Sequence, residues 1–345
     1  MTPKDRVQRA VEAIKNGQMV MMVDDEDREN EGDLVYASVF STPEKVNFMA
    51  TYAKGLICVA LSENIAKRLN LNPMVKDNDS SYETAFTVTV DAKEAATGIS
   101  AFERDMTIKI LASCNSKPSD LVRPGHIFPL IAKEGGVLIR TGHTEGSVDL
   151  CRLAGLKESA VICEVLKEDG TMARRPDLDK FCQKYEIPIV YISDIVEHRM
   201  QNESLIRLIG KSKTDFQGEV VYRYDFLDHK EIHHIAYFFG QESEKTAVRF
   251  HNIGEDHDFL ASFKRFNAFS NALKYLKQNG GALIFLGSEE SPNRQMREYG
   301  IGAQIVKYLG IKEIDLLTTS KAKEFVGISG FGLNIHSYID LEEQS

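Results

Sequence analysis

An apolar run followed at once by a dense group of carboxylates is the feature that most constrains how this chain can fold. Residues 19–23 (Met-Val-Met-Met-Val) have the composition of a buried strand, and residues 24–33 (Asp-Asp-Glu-Asp-Arg-Glu-Asn-Glu-Gly-Asp) hold the densest acidic cluster in the sequence. A second strand-like segment, residues 34–39, follows directly. A loop between two strands lies at a sheet edge, where binding sites of mixed folds tend to occur. The sequence therefore predicts a carboxylate-rich loop at a sheet edge, and we call residues 24–33 the acidic segment.

Two interpretations of the acidic segment are open at this point. Neighbouring carboxylates raise one another's pKa unless a cation lies among them. Arg28 is one such cation, and a divalent metal is a stronger one, because Mg²⁺ binds one or two carboxylates and leaves its other positions to water and substrate. The alternative is a solvated acidic turn without a ligand. The arginine inside the run, the glycine at Gly32 and the strands on both sides favour the metal site.

Length and composition exclude several classes of protein. The chain has 345 residues, enough for about two domains of roughly 150 residues each. Its hydrophobic fraction of 43% is ordinary for a globular protein, and its net charge of −9 disfavours nucleic acid or an anionic membrane as a partner. Apolar runs stay below the roughly 20 residues that span a bilayer, and no signal-type segment follows Met1, so a cytoplasmic protein is expected. The five cysteines form no C-x-x-C pair and are expected to be reduced.

Hydrophobic periodicity predicts two domains built from alternating helices and strands. We expect helices over residues 7–14, 43–53, 102–113, 148–153, 263–276 and 301–309. Strands are expected over residues 19–23, 34–39, 56–61, 84–90, 137–139, 160–166, 220–226, 235–239, 247–250, 282–286 and 314–317, and a polar loop over 73–84. This alternation predicts a layered fold of the α/β or α+β class, with a mixed-sheet N-terminal domain over residues 1–200 and an α/β C-terminal domain over 203–342.

A series of motifs, taken in chain order, resembles one enzyme family. After the acidic segment come Phe-Thr-Val-Thr-Val at 86–90, Lys-Pro-Ser-Asp-Leu at 117–121, Arg-Pro-Gly-His-Ile-Phe-Pro-Leu at 123–130, Arg-Thr-Gly-His-Thr-Glu at 140–145 and Asp-Gly-Thr-Met-Ala-Arg at 169–174. The series resembles 3,4-dihydroxy-2-butanone 4-phosphate synthase, a lyase of riboflavin biosynthesis. The family converts D-ribulose 5-phosphate to L-3,4-dihydroxy-2-butanone 4-phosphate and formate. The resemblance implies this activity for the first domain.

The resemblance also implies roles for individual residues. Glu29 and His143 would bind Mg²⁺ or Mn²⁺, two ions per site, with oxygens of the sugar and water completing the coordination. The reaction would remove the C1 proton to form an enediol, lose water, rearrange the carbon skeleton and release C4 as formate. The implied catalytic acids and bases are His126, Glu164, Asp33 and Glu31. The implied substrate-binding residues are Arg28, Glu29, Asp33, Arg140, Thr141, Gly142, His143, Thr144 and Glu164, and Asp27, Cys58 and Thr107 match further positions near the site.

Residue chemistry alone leaves some of these roles open. A lone histidine after a strand is more often a structural hydrogen-bond partner than a metal ligand, and Glu164 could equally face solvent. The setting of His143 after Arg140-Thr141-Gly142, which matches the family, favours a metal ligand. Arg140 itself suits a phosphate group, since the planar fork of an arginine binds two oxygens. The loop over residues 76–83 resembles a mobile lid of the family. A homodimer with the site near the subunit boundary is also implied.

The second half resembles the end of GTP cyclohydrolase II through residues 302–310, 314–319 and 330–335. That enzyme holds Zn²⁺ with three cysteines, whereas no cysteine follows Cys182 here, and residues 287–294 replace the block expected to handle GTP. His251, His257 and Asp258 could form another zinc site, but their spacing is unfamiliar. We favour a synthase with an inactive cyclohydrolase-like domain and no zinc. A bifunctional enzyme, and a non-catalytic structural or regulatory role for the C-terminal domain, are the alternatives.

Overall fold

The computed structural model describes residues 1–25, 28–80, 82, 84–241, 243–253, 256–287, 299–319, 331 and 333–341. The chain divides into two compact units, Met1–Gln201 and a second unit that begins at Asn202. Each unit contains a seven-stranded mixed sheet with helices, so the mixed α/β fold class predicted from the sequence is confirmed. Within the described ranges, no helix is long and apolar enough to cross a bilayer.

The first unit alternates helices and strands along the chain. Its helices are α1 (Pro3–Lys15), α2 (Pro43–Phe48), α3 (Glu63–Arg68), α4 (Ala101–Ala112), α5 (His143–Leu153), α6 (Arg175–Tyr185) and α7 (Ile192–Asn202). Its strands are β1 (Val20–Val23), β2 (Gly32–Ala37), β3 (Cys58–Ser62), β4 (Val90–Ala92), β5 (Leu121–Ala132), β6 (Ser159–Glu164) and β7 (Ile189–Tyr191). The strand order is β4-β5-β3-β6-β2-β1-β7.

Buried residues on both faces fix the centre of this sheet. Every residue of β1 and β2 is buried, as expected for strands covered by helices on both sides. Ala60 and Ala132 pack against Val148 of α5, while Val59 belongs to the larger core cluster, because successive side chains of a strand point to opposite faces. Gly146 lets α5 approach β1 closely, since a Cβ there would lie 2.7 Å from Met22 Sδ. This close packing positions the N-terminus of α5.

Two strand predictions in the first unit were wrong or only partly right. Residues 136–138 form a turn of 3₁₀ helix rather than a strand, because Gly135 and Gly136 adopt positive φ angles of 91° and 62° that turn the chain before α5. The strand expected from residue 84 begins only at Val90, and Phe86 and Thr87 make isolated bridges. The predicted helix over 102–113 is present as α4, although Phe102 is 71% exposed.

The second unit has its own sheet and core. Its strands are β8 (Ile206–Phe216), β9 (Glu219–Asp228), β10 (His233–Phe239), β11 (Lys245–Asn252), β12 (Gly281–Leu286), β13 (Glu313–Thr318) and β14 (Asn334–Asp340). Its helices are α8 (Asp256–Ala261), α9 (Phe263–Asn279) and α10 (Tyr299–Tyr308). The strand order is β14-β13-β11-β12-β10-β9-β8. Tyr237, Leu276, Leu283 and Leu317 are central to the core.

Candidate active site

Two segments distant in sequence meet at one edge of the first sheet. The acidic segment connects β1 to β2, and the turn at residues 140–142 leads into α5, whose first residue is His143. Ligand atoms of Asp24, Glu29 and His143 lie within 4.8 Å of one another. The His143 Nδ1 is 3.5 Å from Glu29 Oε2, and its Nε2 is 3.8 Å from Asp33 Oδ1. The structure thus brings the two expected metal ligands and one expected catalytic carboxylate together.

Hydrogen bonds and ion pairs of Arg28 and Asp24 stabilise the conformation of the acidic segment. The Arg28 guanidinium donates to Asp24 Oδ2 at 2.5 Å and lies 2.8 Å from Glu29 Oε1. Asp24 Oδ2 also accepts a hydrogen bond from the Glu29 backbone N–H at 3.1 Å. Arg28 is therefore enclosed among carboxylates instead of open to solvent. The expected contribution of Asp27 lies outside the described residues.

The electrostatics of the cluster favour a cation at its centre. Burial opposes ionisation of Glu29, but the hydrogen bond to His143 and the charge of Arg28 outweigh it and lower the pKa of Glu29 to about 2. Burial raises the pKa of Asp33 above its ordinary value, with further raising by Glu164 and Glu29. Burial alone would lower the pKa of His143, yet the charges of Asp33 and Glu29 raise it. The carboxylates thus stabilise a positive charge on the imidazole.

Glu164 lies beside Asp33 across the sheet. The two residues are partners in the antiparallel register of β2 and β6, which ends at Glu164. The Glu164 Oε2 accepts a hydrogen bond of 2.8 Å from the Leu56 N–H. Gly55 is needed beside it, since a Cβ at that position would lie 2.3 Å from the Glu164 carbonyl oxygen and 2.6 Å from Oε2. The local backbone therefore fixes this carboxylate.

His126 is not brought to the same cluster. It lies on β5, which is three strands from β2 in the sheet order, so about 14 Å separates the strands at a spacing of roughly 4.8 Å. Its Nδ1 instead lies 2.8 Å from Asp91 Oδ2, and its backbone N–H donates to Asp91 Oδ1 at 2.8 Å. Its side chain is 45% exposed. Asp91 thus orients His126 at the surface of the first unit.

The turn before α5 has the features of an anion-binding site. Gly142 is the N-cap of α5, and a Cβ there would lie 2.3 Å from Arg140 Nη1. The first N–H groups of a helix lack intrahelical partners and bind anions. Arg140 donates to Glu145 Oε2 at 2.6 Å and to the Tyr82 carbonyl oxygen at 2.9 Å, which fixes its guanidinium. Thr141 in this turn and Thr144 in the first turn of α5, both expected to bind substrate, are buried.

Tyr82 connects the loop over residues 74–86 to both segments. Its hydroxyl donates to the Arg28 carbonyl oxygen at 3.0 Å, and its ring lies 5.2 Å from the Arg28 guanidinium carbon. The neighbouring loop positions 81 and 83 lie outside the described residues, so the expected lid motion stays a prediction. Two other expected site positions have structural contacts: Cys58 is a buried core residue, and Thr107 accepts from the Ala92 N–H at 2.8 Å.

The residues present fit a divalent cation. Within the described part of the chain, Asp33 Oδ1 and His143 Nε2 are buried and have no hydrogen-bond partner. Buried polar atoms are rarely left unpaired, so these two atoms are suited to contact a bound ion or substrate. Carboxylate oxygens together with one imidazole suit Mg²⁺, Mn²⁺ or a similar ion. Asp24 places a third ligand atom in this group, and sequence reasoning did not assign it.

The residues of the disfavoured alternative zinc site in the second unit do not form a metal cluster among the described residues. The His251 ring is surrounded by Phe259, Phe269 and Phe285, with ring centroids 5.3, 4.9 and 5.3 Å away. Burial lowers the pKa of His251 to about 4, and Arg249 adds to this effect. His257 is exposed, and the Asp258 side chain lies outside the described residues. The His251 imidazole is therefore packed as a partly buried ring among aromatic side chains.

Comparison with known proteins gives two family matches. Residues 8–198 match the family described as 3,4-dihydroxy-2-butanone 4-phosphate synthase, and residues 288–340 match the family described as GTP cyclohydrolase II. A protein from Sulfurospirillum multivorans named 3,4-dihydroxy-2-butanone 4-phosphate synthase is 66% identical over 98% of this chain and 95% of its own length. The Bacillus subtilis riboflavin biosynthesis protein RibBA is 40% identical over 98% of this chain and 94% of its own length.

Solved structures agree with these matches. A two-domain 3,4-dihydroxy-2-butanone 4-phosphate synthase from A. baumannii, RibBX, aligns with a TM-score of 0.68 and 37% identity over 97% of this chain and 98% of that chain. A second synthase, solved in complex with two magnesium ions, aligns with a TM-score of 0.55 and 38% identity. It covers 57% of this chain and 97% of its own.

Proposed function

Because this chain belongs to the 3,4-dihydroxy-2-butanone 4-phosphate synthase family and is a lyase of riboflavin biosynthesis, we propose that Glu29, Asp33 and His143 form its metal and substrate site. The observation that carries the proposal is the convergence of Glu29 and His143, at 3.5 Å, where the buried Asp33 Oδ1 and His143 Nε2 have no hydrogen-bond partner. The related synthase solved with two magnesium ions supports Mg²⁺, two per site, as the occupant. Mn²⁺ suits the same ligands.

The protein residues supply the binding and the proton transfers of the reaction. When bound, the metal supplies Lewis acidity at the carbonyl oxygen of ribulose 5-phosphate. Asp33, buried in the cluster and opposite Glu164 in the register of β2 and β6, is a proton carrier through its carboxyl group. Glu164 beside it and Glu31 near it are further proton carriers. The N-terminus of α5, with Arg140 and Thr144, binds the phosphate group.

Removing the charge of one ligand tests this assignment. Glu29→Gln keeps the shape of the side chain but removes the charge that a metal needs, so we expect formate release from ribulose 5-phosphate to collapse at limiting Mg²⁺. Glu168→Gln is the matched control, because Glu168 is exposed and pairs with Lys54. Near-wild-type turnover of Glu29→Gln at limiting Mg²⁺ would refute the site.

We also propose that the enzyme is a homodimer whose second subunit completes the site. His126 lies about three strands from Asp33, and the neighbouring Ile99 and Phe102 are 54% and 71% exposed. Gly98 places this apolar surface beside His126, since a Cβ at Gly98 would lie 2.7 Å from His126 Nδ1. A second copy docked there would bury the surface and bring His126 to the partner's cluster. Sedimentation of an active monomer at assay concentration would reject the proposal.

Co-expression tests whether the site is shared. His126→Ala and Glu29→Gln subunits, each inactive alone, should together form mixed dimers with one intact site. Activity in the mixed preparation supports a shared site. Continued inactivity of mixed dimers isolated with two different tags would show that each subunit is self-sufficient.

For the second unit we propose loss of GTP cyclohydrolase activity. Cyclohydrolase chemistry needs a zinc ion with thiolate ligands, and the sequence contains no cysteine after Cys182. We expect no formate from GTP, no zinc by elemental analysis and a melting profile unaffected by chelators, while ribulose 5-phosphate is still consumed. One zinc per chain together with GTP turnover would favour the bifunctional alternative. The cytoplasmic location expected from the sequence stays a prediction.

A further inference from the structure

Arg174 contacts the acidic segment from outside the cluster. Its Nη1 donates to the backbone carbonyl oxygen of Glu29 at 2.8 Å and to that of Asn30, and it lies 4.0 Å from Glu31 Oε1. Asn30 adopts a left-handed φ of 53°. Two successive carbonyl oxygens thus converge on one guanidinium group. The contact lies directly on the backbone of Glu29, the proposed metal ligand.

Arg174 is itself fixed by the frame of the sheet. The preceding Ala173 donates its N–H to the Val165 carbonyl at 3.0 Å, and Val165 donates its N–H to the Gly32 carbonyl at 3.0 Å. Arg174 is also the N-cap of α6, where its N–H donates to Asp177 Oδ2 at 3.1 Å. These hydrogen bonds therefore fix the backbone of Arg174, from which its side chain extends to the acidic segment.

We propose that Arg174 is a positioning residue that sets the direction of the Glu29 side chain toward His143 and thereby determines metal affinity. The proposal rests on the proposed function of Glu29. A guanidinium has several N–H donors in a fixed plane, so one group can bridge two carbonyl oxygens and hold the left-handed turn at Asn30. Its positive charge also offsets the repulsion between Glu29 and Glu31. Mutation of a residue that orients a metal ligand without touching the metal typically lowers metal affinity by about 10- to 100-fold.

The neighbouring arginine provides a matched control. Arg175 donates to Asp179 at 2.9 Å, and its guanidinium lies over the Tyr191 ring. These contacts belong to α6 and β7, away from the acidic segment. Arg175→Met therefore removes the same charge from the same helix start without disturbing Glu29.

Mn²⁺ titration of the metal-free full-length protein, followed by electron paramagnetic resonance, tests the proposal. We expect Arg174→Met to weaken Mn²⁺ binding about tenfold, Arg174→Lys to recover part of the affinity, and Arg175→Met to match wild type. Melting of the metal-free Arg174→Met protein should stay close to that of Arg175→Met. Its rate of formate release should recover at saturating Mn²⁺.

Three results would overturn the proposal or its premise. Wild-type Mn²⁺ affinity in Arg174→Met would refute the positioning role while leaving the site intact, provided that Glu29→Gln still loses the ion. A large drop in melting temperature, with a rate that saturating Mn²⁺ does not restore, would show a merely structural role. Wild-type Mn²⁺ affinity in Glu29→Gln would refute the metal site itself.

Discussion

The aromatic environment of His251 predicts a specific pH dependence for the second unit. An unfolded chain carries His251 with a pKa near 6.5, whereas burial among three phenylalanine rings lowers the pKa to about 4 in the folded unit. Between these values the unfolded chain binds more protons, so stability is full above pH 6.5 and is lost as the pH falls toward 4. The side chain therefore makes the second unit acid-sensitive.

The size of this effect follows from the width of the window. Within this window, each fall of one pH unit lowers the free energy of unfolding by up to about 1.4 kcal/mol. The total loss between pH 6.5 and about 4 is therefore about 3 kcal/mol. The ring keeps some solvent exposure, and screening reduces the expected loss to about 2 kcal/mol. His251→Phe keeps a ring in the cluster and removes the titration. Between pH 7 and pH 4, the free energy of unfolding of the variant should therefore fall by about 2 kcal/mol less than that of wild type.

Urea unfolding followed by circular dichroism at several pH values measures this difference. The first unit has the same sequence in both proteins, so the difference between them isolates the second unit. His229→Gln, a change at an exposed histidine, is the control and should keep the wild-type pH dependence. An identical pH dependence in wild type and His251→Phe would refute the packed, neutral imidazole. A zinc-induced gain in stability that His251→Phe abolishes would instead make His251 a ligand.

Two further predictions concern the first unit. Gly55→Ala would place a Cβ 2.3 Å from the Glu164 carbonyl oxygen and so displace Glu164. We expect kcat to fall about tenfold or more with Mn²⁺ affinity unchanged. An unchanged kcat would contradict the fixed position of Glu164. Arg199→Met would leave Asp149 buried without the guanidinium that lies 2.7 Å away. Calorimetry should show that the free energy of unfolding falls by about 3–5 kcal/mol. Wild-type stability would contradict the importance of this pair.

The sequence predicted many of the elements with continuous apolar runs or clear helical periodicity, and it missed α3, α6, α7, α8, β5, β7, β8 and β14. β1, β2 and β6 carry continuous apolar runs, and their positions were correct within a few residues. β8 and β14 were missed because they are the outermost strands of the second sheet and only part of their surface is buried. The error at residues 137–139 arose because three apolar residues after two glycines fit a strand and a short helical turn equally well.

Site prediction depended on motif resemblance, and the structure added contacts that no local pattern contains. Glu29 and His143 were predicted as partners although 114 positions separate them. Asp91, which pairs with His126, and Arg174, which contacts the Glu29 carbonyl, gave no signal of these contacts, because each joins segments far apart in sequence. Register across a sheet and the direction of a helix start decide such contacts, and a single sequence does not encode them in a local pattern.

Anomalous diffraction from crystals grown with Mn²⁺ and ribulose 5-phosphate tests the central claim most directly. The account predicts two Mn²⁺ peaks at the edge of the first sheet, with Glu29 and His143 within coordination distance, about 2.0–2.4 Å, and the sugar oxygens completing the coordination. Peaks that lie elsewhere, with Glu29 and His143 contacting only protein atoms or water in the substrate complex, would contradict it.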